Sequence, residues 1–193
     1  MRLFVAADLD QAARAAVAAE QTRLRALDVK GAAIRWVRSE HLHLTLLFIG
    51  EVDDAPATAL AAALEPRVRQ RPFEASFGGL GVFPDRGAPR ALWIGVRAGE
   101  AELIALAREV TARVSRAGIS VAARALVPHL TIGRWKGPSS SARRRVQSVD
   151  SHETLARVRI DRATLYQSRP SSAGPTYIPL AHATLAVDDV SCR

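Results

Sequence analysis

The spacing of hydrophobic residues divides the chain into two halves with the same order of elements. Alternating or continuous hydrophobic runs predict strands, and helical spacing of such residues predicts helices. In the first half the predicted strands lie at 2–9, 34–37, 41–49 and 73–82, and the predicted helices at 10–27 and 54–70. In the second half the predicted strands lie at 90–97, 127–135, 155–167 and 176–187, and the predicted helices at 100–117 and 138–150.

This repeated order predicts an α+β fold of two pseudo-symmetric lobes, with halves of roughly 1–85 and 86–193 inside one domain that spans 1–193. The chain has 193 residues, of which 48% are hydrophobic, and this is enough to bury one substantial core. The glycine-rich stretch 78–81 is followed by neither a helix start nor a lysine, so it is predicted to be a bent strand rather than a phosphate-binding loop.

The tripeptide His-Leu-Thr occurs twice, at equivalent places in the two halves. The two copies lie in the motifs His43-Leu44-Thr45-Leu46 and His129-Leu130-Thr131-Ile132. Residues two apart on a strand point to the same face, so each motif presents an imidazole and a hydroxyl together and turns its apolar residues into the core. If the two lobes face each other, the two pairs meet across a cleft.

Two opposed imidazoles are suited to the cleavage of a phosphodiester. One takes a proton from the attacking oxygen while the other gives a proton to the leaving oxygen, and threonine hydroxyls can donate hydrogen bonds to the phosphate. A single histidine in a strand is more often a packing residue, but the duplication with matching flanks favours the catalytic interpretation. This chemistry requires no cofactor, and the sequence suggests no metal site near either motif.

The net charge indicates a class of binding partner, and the single cysteine limits the possible disulfides and metal sites. The net charge is +8 and nearly all the cations are arginines, which favours an anionic partner such as RNA, although genomic base composition can also enrich arginine. The single cysteine, Cys192, excludes internal disulfides and cysteine-based metal sites. The sequence has no membrane-length apolar stretch, so we expect a cytoplasmic protein, and nothing in it demands more than a monomer.

The two motifs and their surroundings resemble a known family. The stretches "RLFVAADL", "IRWVRSEHLHLTLLFIGEV" and "VPHLTIGRWK" are similar to the RNA 2′,3′-cyclic phosphodiesterases, also called the 2′-5′ RNA ligase family, of the two-histidine (2H) phosphoesterase superfamily. The resemblance implies a bilobal fold of antiparallel sheets and helices with both motifs in a central cleft. It also implies His43 as proton donor, His129 as proton acceptor, Thr45 and Thr131 as phosphate ligands, and Arg134 near the phosphate.

The resemblance implies an enzyme that hydrolyses the 2′,3′-cyclic phosphate at the end of an RNA to a 2′-phosphate without a metal. Two alternatives stay open at this point. One is the reverse direction, in which the cyclic phosphate is joined to a 5′-hydroxyl as a 2′-5′ bond. The other is a non-catalytic module that binds RNA ends in the same basic cleft.

Three further residues have more than one interpretation. Trp135 shares the parity of His129, so it either stacks on a nucleobase or packs in the core, whereas alternation places Phe48 in the core. His41 lies two residues before His43, a spacing found in zinc sites, but no third ligand is evident and we favour a residue at the edge of the strand or the rim of the cleft. Many relatives carry asparagine at the position of His41.

Overall fold

The computed structural model describes residues 1–27, 34–122, 125–137, 142–150, 153–172 and 174–186. The strands within these ranges are β1 (Arg2–Asp8), β2 (Ile34–Trp36), β3 (His43–Glu51), β4 (Phe73–Phe83), β5 (Ala91–Ala98), β6 (His129–Trp135), β7 (Thr154–Ile160), β8 (Arg162–Arg169) and β9 (Thr176–Thr184). The helices are α1 (Gln11–Ala26), α2 (Asp54–Leu64), α3 (Glu100–Arg116) and α4 (Ala142–Val149). Cys192 and the first four positions of the helix predicted at 138–150 lie outside the described residues.

The strands form two antiparallel sheets, which confirms the predicted α+β, bilobal architecture. The first sheet has the order β3-β1-β8-β9, and the second has the order β2-β6-β5-β4-β7. Each histidine-bearing strand lies beside the strand that opens its half, because β3 pairs with β1 and β6 pairs with β5. The two sheets meet where β3 contacts β6.

The two sheets do not coincide with the halves 1–85 and 86–193. The first sheet includes β8 and β9 from the second half, and the second sheet includes β2 and β4 from the first half. One of several crossings between the sheets occurs at Asp161, where the single strand predicted at 155–167 is divided into β7 and β8. An alternating pattern does not record such a change of sheet, because the hydrophobic alternation continues on both sides of it.

Helices α1 and α3 also cross to the opposite sheet. Helix α1 follows β1 but packs against β7 of the second sheet, and α3 follows β5 but packs against β3 of the first. The buried amide of Gln21 on α1 donates hydrogen bonds to the carbonyl oxygens of Val37 and Ile132, at 2.8 and 2.9 Å. This link fixes the back of β6, the strand that carries His129.

Helix α2 is shorter than predicted, because it ends at Leu64 rather than at residue 70. Pro66 has no N–H to continue the helix. The buried guanidinium of Arg113 on α3 donates hydrogen bonds to the carbonyl oxygens of Leu64, Pro66 and Arg67. These carbonyl groups thus find partners without a further helical turn.

The glycine-rich stretch of β4 is a bent strand, as predicted. Its pairing with β5 is irregular between Phe77 and Leu80, and Gly79 has a φ of +74°. Within the ranges that the structure describes, no helix is long and apolar enough to cross a membrane.

Candidate active site

The cleft between the two sheets brings together five of the six predicted site residues. It has a volume of about 260 Å³. The residues that line it include His43, Thr45, His129, Thr131 and Arg134. The two histidines lie at the starts of β3 and β6, so the convergence of the two motifs follows directly from the contact between these strands.

Both histidine rings are held by the same hydrogen bond. The Nδ1 atom of His43 lies 2.7 Å from the carbonyl oxygen of His41, and that of His129 lies 2.7 Å from the carbonyl oxygen of Val127. A carbonyl oxygen only accepts, so Nδ1 carries the hydrogen in each ring. The Nε2 atom is therefore the position at which either imidazole can accept or donate a proton.

Aromatic side chains pack around each imidazole. The His43 ring lies 4.9 Å from Phe4 and 5.2 Å, edge to face, from Tyr177, measured between ring centroids. The His129 ring makes an edge-to-face contact with Phe83 at 4.9 Å. Burial in these surroundings disfavours the protonated ring, and it lowers the pKa of both histidines below the ordinary value.

The charges beside the two histidines differ. Asp8 lies directly opposite His43 in the pairing of β1 with β3, and its negative charge counteracts the lowering of the His43 pKa by burial. Arg14 and His41 act more weakly in the other direction on this group. The positive charge of Arg134 instead adds to the effect of burial and lowers the pKa of His129 further.

Asp8 is fixed in place by two hydroxyl groups of β8. Thr164 donates a hydrogen bond to one carboxylate oxygen at 2.8 Å, and Tyr166 donates to the other at 2.7 Å. Burial and the neighbouring Asp8 carboxylate raise the pKa of Tyr166 well above its ordinary range, so its hydroxyl stays a donor. The carboxylate beside His43 is thus an ordered part of the site.

A β-bulge interrupts β3 directly after its His-Leu-Thr tripeptide. Thr45 lies opposite Ala6 of β1, but Leu47, two residues further, lies opposite Val5. Leu46 is therefore the extra residue of the bulge, and side chains beyond it change faces. As a result Phe48 is 53% exposed and lines the cleft, and the prediction that it packs in the core is wrong.

The same interruption occurs at the equivalent place in β6. Thr131 lies opposite Trp93 of β5, whereas Gly133, two residues further, lies opposite Leu92. The change of face brings Arg134 to the cleft, although strict alternation would turn it towards the core.

The bulge in β6 also explains why Trp135 does not face the cleft. Beyond the bulge its side chain points to the buried face, where it is 8% exposed and packs in the hydrophobic core. The prediction that Trp135 shares the face of His129 is therefore wrong, and core packing is the alternative that the structure supports. Phe48 and Arg134 are instead the residues that follow their histidines by five positions and line the cleft.

His41 is among the residues that line the cleft. It ends a short 3₁₀ turn at Ser39–His41, before β3 begins, so it does not share a strand face with His43. Its ring lies 4.9 Å from that of Tyr177. Among the described residues, histidine, cysteine and acidic side chains form no group of three that could hold a metal ion.

The chain that forms this cleft, with its two histidine–threonine motifs, is similar to proteins of a known family. A model of the 2′-5′ RNA ligase superfamily matches residues 9–171. The chain belongs to the 2′-5′ RNA ligase superfamily. The family predicted from the motifs is therefore confirmed.

Individual members of the superfamily are similar over almost the whole chain. The RNA 2′,3′-cyclic phosphodiesterase of Archaeoglobus fulgidus is 34% identical, over 92% of this chain and 96% of its own length. The RNA 2′,3′-cyclic phosphodiesterase of Thermotoga maritima is 32% identical, over 92% of this chain and 91% of its own. The crystal structure of Escherichia coli LigT complexed with 3′-AMP is similar with a TM-score of 0.73 and 27% identity, over 96% of this chain and 98% of that one.

Sequence reasoning did not assign Phe48 to the cleft, and it did not identify Asp8 as the neighbour of His43. Phe48 was predicted to lie in the core because a hydrophobic pattern does not reveal a bulge. Asp8 was missed because its position opposite His43 depends on the register of two strands that are far apart in sequence. The available signal for Asp8 was an acidic residue that ends an otherwise apolar strand.

Proposed function

We propose that this protein hydrolyses the 2′,3′-cyclic phosphate at the end of an RNA and leaves a 2′-phosphate. The observation that carries the proposal is that one cleft holds two threonines, an arginine and two imidazoles whose Nδ1 atoms are hydrogen-bonded, which leaves Nε2 for proton transfer. The names of the curated relatives support the substrate class, since both are RNA 2′,3′-cyclic phosphodiesterases.

The proposed step needs one neutral and one protonated imidazole. Nε2 of neutral His129 takes a proton from a water molecule, whose oxygen forms a bond to phosphorus. The bond from phosphorus to the 3′ oxygen breaks, and Nε2–H of His43 gives its proton to that oxygen. The phosphate remains on the 2′ oxygen, and the two histidines have exchanged their protonation states.

The remaining polar groups act on the phosphate. The hydroxyls of Thr45 and Thr131 donate hydrogen bonds to the non-bridging oxygens, and the guanidinium of Arg134 stabilises the negative charge. In this proposal the exposed ring of Phe48 stacks on the terminal base. The guanidinium of Arg2 lies over this ring, 5.0 Å from its centroid.

Neighbouring charges support His43 as the acid and His129 as the base. The Asp8 carboxylate favours the protonated form of His43, and Arg134 favours the neutral form of His129. The hydrogen bonds of the two rings are alike, so charge rather than ring orientation distinguishes their roles. Both proton transfers are assigned to histidines, and the proposed step uses no metal.

The direct test is incubation with an oligonucleotide that ends in a 2′,3′-cyclic phosphate, in the presence of excess chelator. We expect the product to gain the mass of one water and to carry a 2′-phosphate. A 3′-phosphate would keep the acid–base chemistry but reverse the orientation of the ribose. Added RNA with a 5′-hydroxyl tests the reverse reaction, since joining would appear as a longer product with a 2′-5′ bond.

A further inference from the structure

A second cleft opens beside the active site and continues from it. It has a volume of about 250 Å³, and we call it the side cleft. Arg35, Trp36 and Arg38 line only the side cleft, whereas His41, Arg134 and Tyr177 line both the side cleft and the active-site cleft. The shared residues make the two spaces continuous.

Two arginines of the side cleft face each other directly. Arg35 on β2 lies opposite Arg134 on β6 in the pairing of these antiparallel strands. Like charges in such cross-strand positions repel and weaken the pairing. Arg35 is exposed and makes no ion pair with any other described residue, so no described protein carboxylate offsets this repulsion.

The lining of the side cleft is cationic and aromatic. Arg38 is paired with Glu40, with 2.7 Å between Nε and the carboxylate oxygen, but both side chains are largely exposed and such pairs hold weakly. Glu40 does not line the side cleft, and none of the described residues that line it is acidic. Arginines beside aromatic rings are the combination with which proteins bind single-stranded RNA.

The size of the active-site cleft adds a constraint on the substrate. At about 260 Å³ it is close in size to the side cleft, at about 250 Å³, and smaller than the ~300–1,000 Å³ of clefts that enclose a whole drug-sized ligand. An RNA strand whose terminal nucleotide occupies the active-site cleft can therefore place its preceding phosphodiester in the adjoining side cleft.

We propose that the side cleft binds the nucleotide that precedes the cyclic phosphate, with the connecting phosphodiester between Arg35 and Arg134. The anion offsets the repulsion between the two guanidinium groups, and their planar forks suit phosphate oxygens. This inference rests on the proposed function, because it takes the cyclic phosphate to lie between His43 and His129. Its consequence is that the substrate is an RNA strand rather than a free cyclic mononucleotide.

The test compares a 2′,3′-cyclic mononucleotide with a dinucleotide that ends in a 2′,3′-cyclic phosphate and adds one phosphodiester. We expect kcat/KM to be at least about 10-fold higher for the dinucleotide, the size of one added charge-assisted contact. In Arg35→Ala this ratio should fall close to one, and Arg35→Lys should retain part of it. Arg159→Ala is the matched control, because Arg159 is an exposed arginine on β7, at the opposite edge of the same sheet.

Binding of a labelled dinucleotide, measured by fluorescence anisotropy against salt concentration, gives a second readout that does not depend on turnover. Arg35→Ala should weaken binding about 10-fold and reduce the salt dependence, since one phosphate contact is lost. A wild-type ratio near one, or equal losses for both substrates in Arg35→Ala, would overturn the side cleft as a nucleotide site. If neither substrate turned over but Arg35→Ala still weakened dinucleotide binding, the proposed function would fail while the side cleft stood.

Discussion

The two His-Leu-Thr strands have the same local structure but different electrostatic surroundings. In β3 and β6 the histidine ring donates to the carbonyl oxygen two residues earlier, and a bulge follows the threonine. The residue five positions after the histidine then faces the cleft in both strands. In β3 that residue is Phe48, and in β6 it is Arg134.

In the proposed mechanism, this difference allows a duplicated motif to supply one proton donor and one proton acceptor. The tripeptide and the bulge fix the position of each imidazole, but they do not determine which one carries a proton. In the proposed mechanism the neighbouring residues do so, because Asp8 lies opposite His43 whereas Gly95, with no side chain, lies opposite His129. We therefore propose that the repeated motif fixes the positions of the two imidazoles, whereas the residues that differ around them determine their protonation states.

The largest expected effect comes from removing either imidazole. We expect His43→Ala and His129→Ala each to lose at least ~100-fold in kcat, the usual scale for a general acid or base. Both side chains line the cleft rather than the core, so circular dichroism and thermal unfolding should stay close to wild type. Near-normal turnover by either variant would contradict the paired acid–base roles.

Replacing Arg134 and Phe48 separately with alanine distinguishes what each residue contributes to turnover and to substrate binding. Arg134→Ala should lower kcat/KM by about 10- to 100-fold, because a charged donor to the phosphate is lost. Phe48→Ala should act mainly through KM, by about 5- to 100-fold, the range for losing one stacked base. Steady-state kinetics on the same cyclic-phosphate oligonucleotide give both values, and a loss confined to kcat in Phe48→Ala would argue against stacking.

The proposed roles of the two histidines predict the shape of the pH profile of kcat/KM. The mechanism requires neutral His129 and protonated His43, so kcat/KM rises as His129 loses its proton and falls as His43 loses its own. Burial lowers the pKa of both groups, which places the falling limb below the ~6.5 of an ordinary imidazole.

Asp8→Asn should move only one limb of that profile. It removes the negative charge that raises the pKa of His43, so the falling limb should shift to lower pH while the rising limb stays in place. The control is Asp54→Asn, a change of the same kind in the first turn of α2, where neither limb should move. A shift of the rising limb instead would mean that the acid and the base are exchanged.

Much of the fold was predictable because long strands and helices have a clear hydrophobic period. The helix that Asp10 begins and the strands around both motifs are close to their predicted bounds, and Asp10 caps the helix by accepting from the N–H of Ala13. The change of sheet at Asp161 was not predictable, since it depends on which strand offers a free edge. Arg134 was identified through family resemblance, because alternation alone would have turned it inward.

The smallest expected effect tests the corrected position of Trp135. Its side chain is 8% exposed, and its indole Nε1 has no hydrogen-bond partner among the described residues, so replacement by phenylalanine breaks no hydrogen bond with them. Trp135→Phe should therefore cost about 1 kcal/mol in the free energy of unfolding, as expected for a volume loss in the core, and leave KM for the oligonucleotide within about 2-fold. Chemical denaturation and steady-state kinetics on one preparation measure both. The contrast with Phe48→Ala decides which of these two aromatic side chains meets the base, because Phe48 lines the cleft and Trp135 does not. A KM effect for Trp135→Phe as large as that for Phe48→Ala would show that the bulge in β6 does not keep the indole away from the substrate.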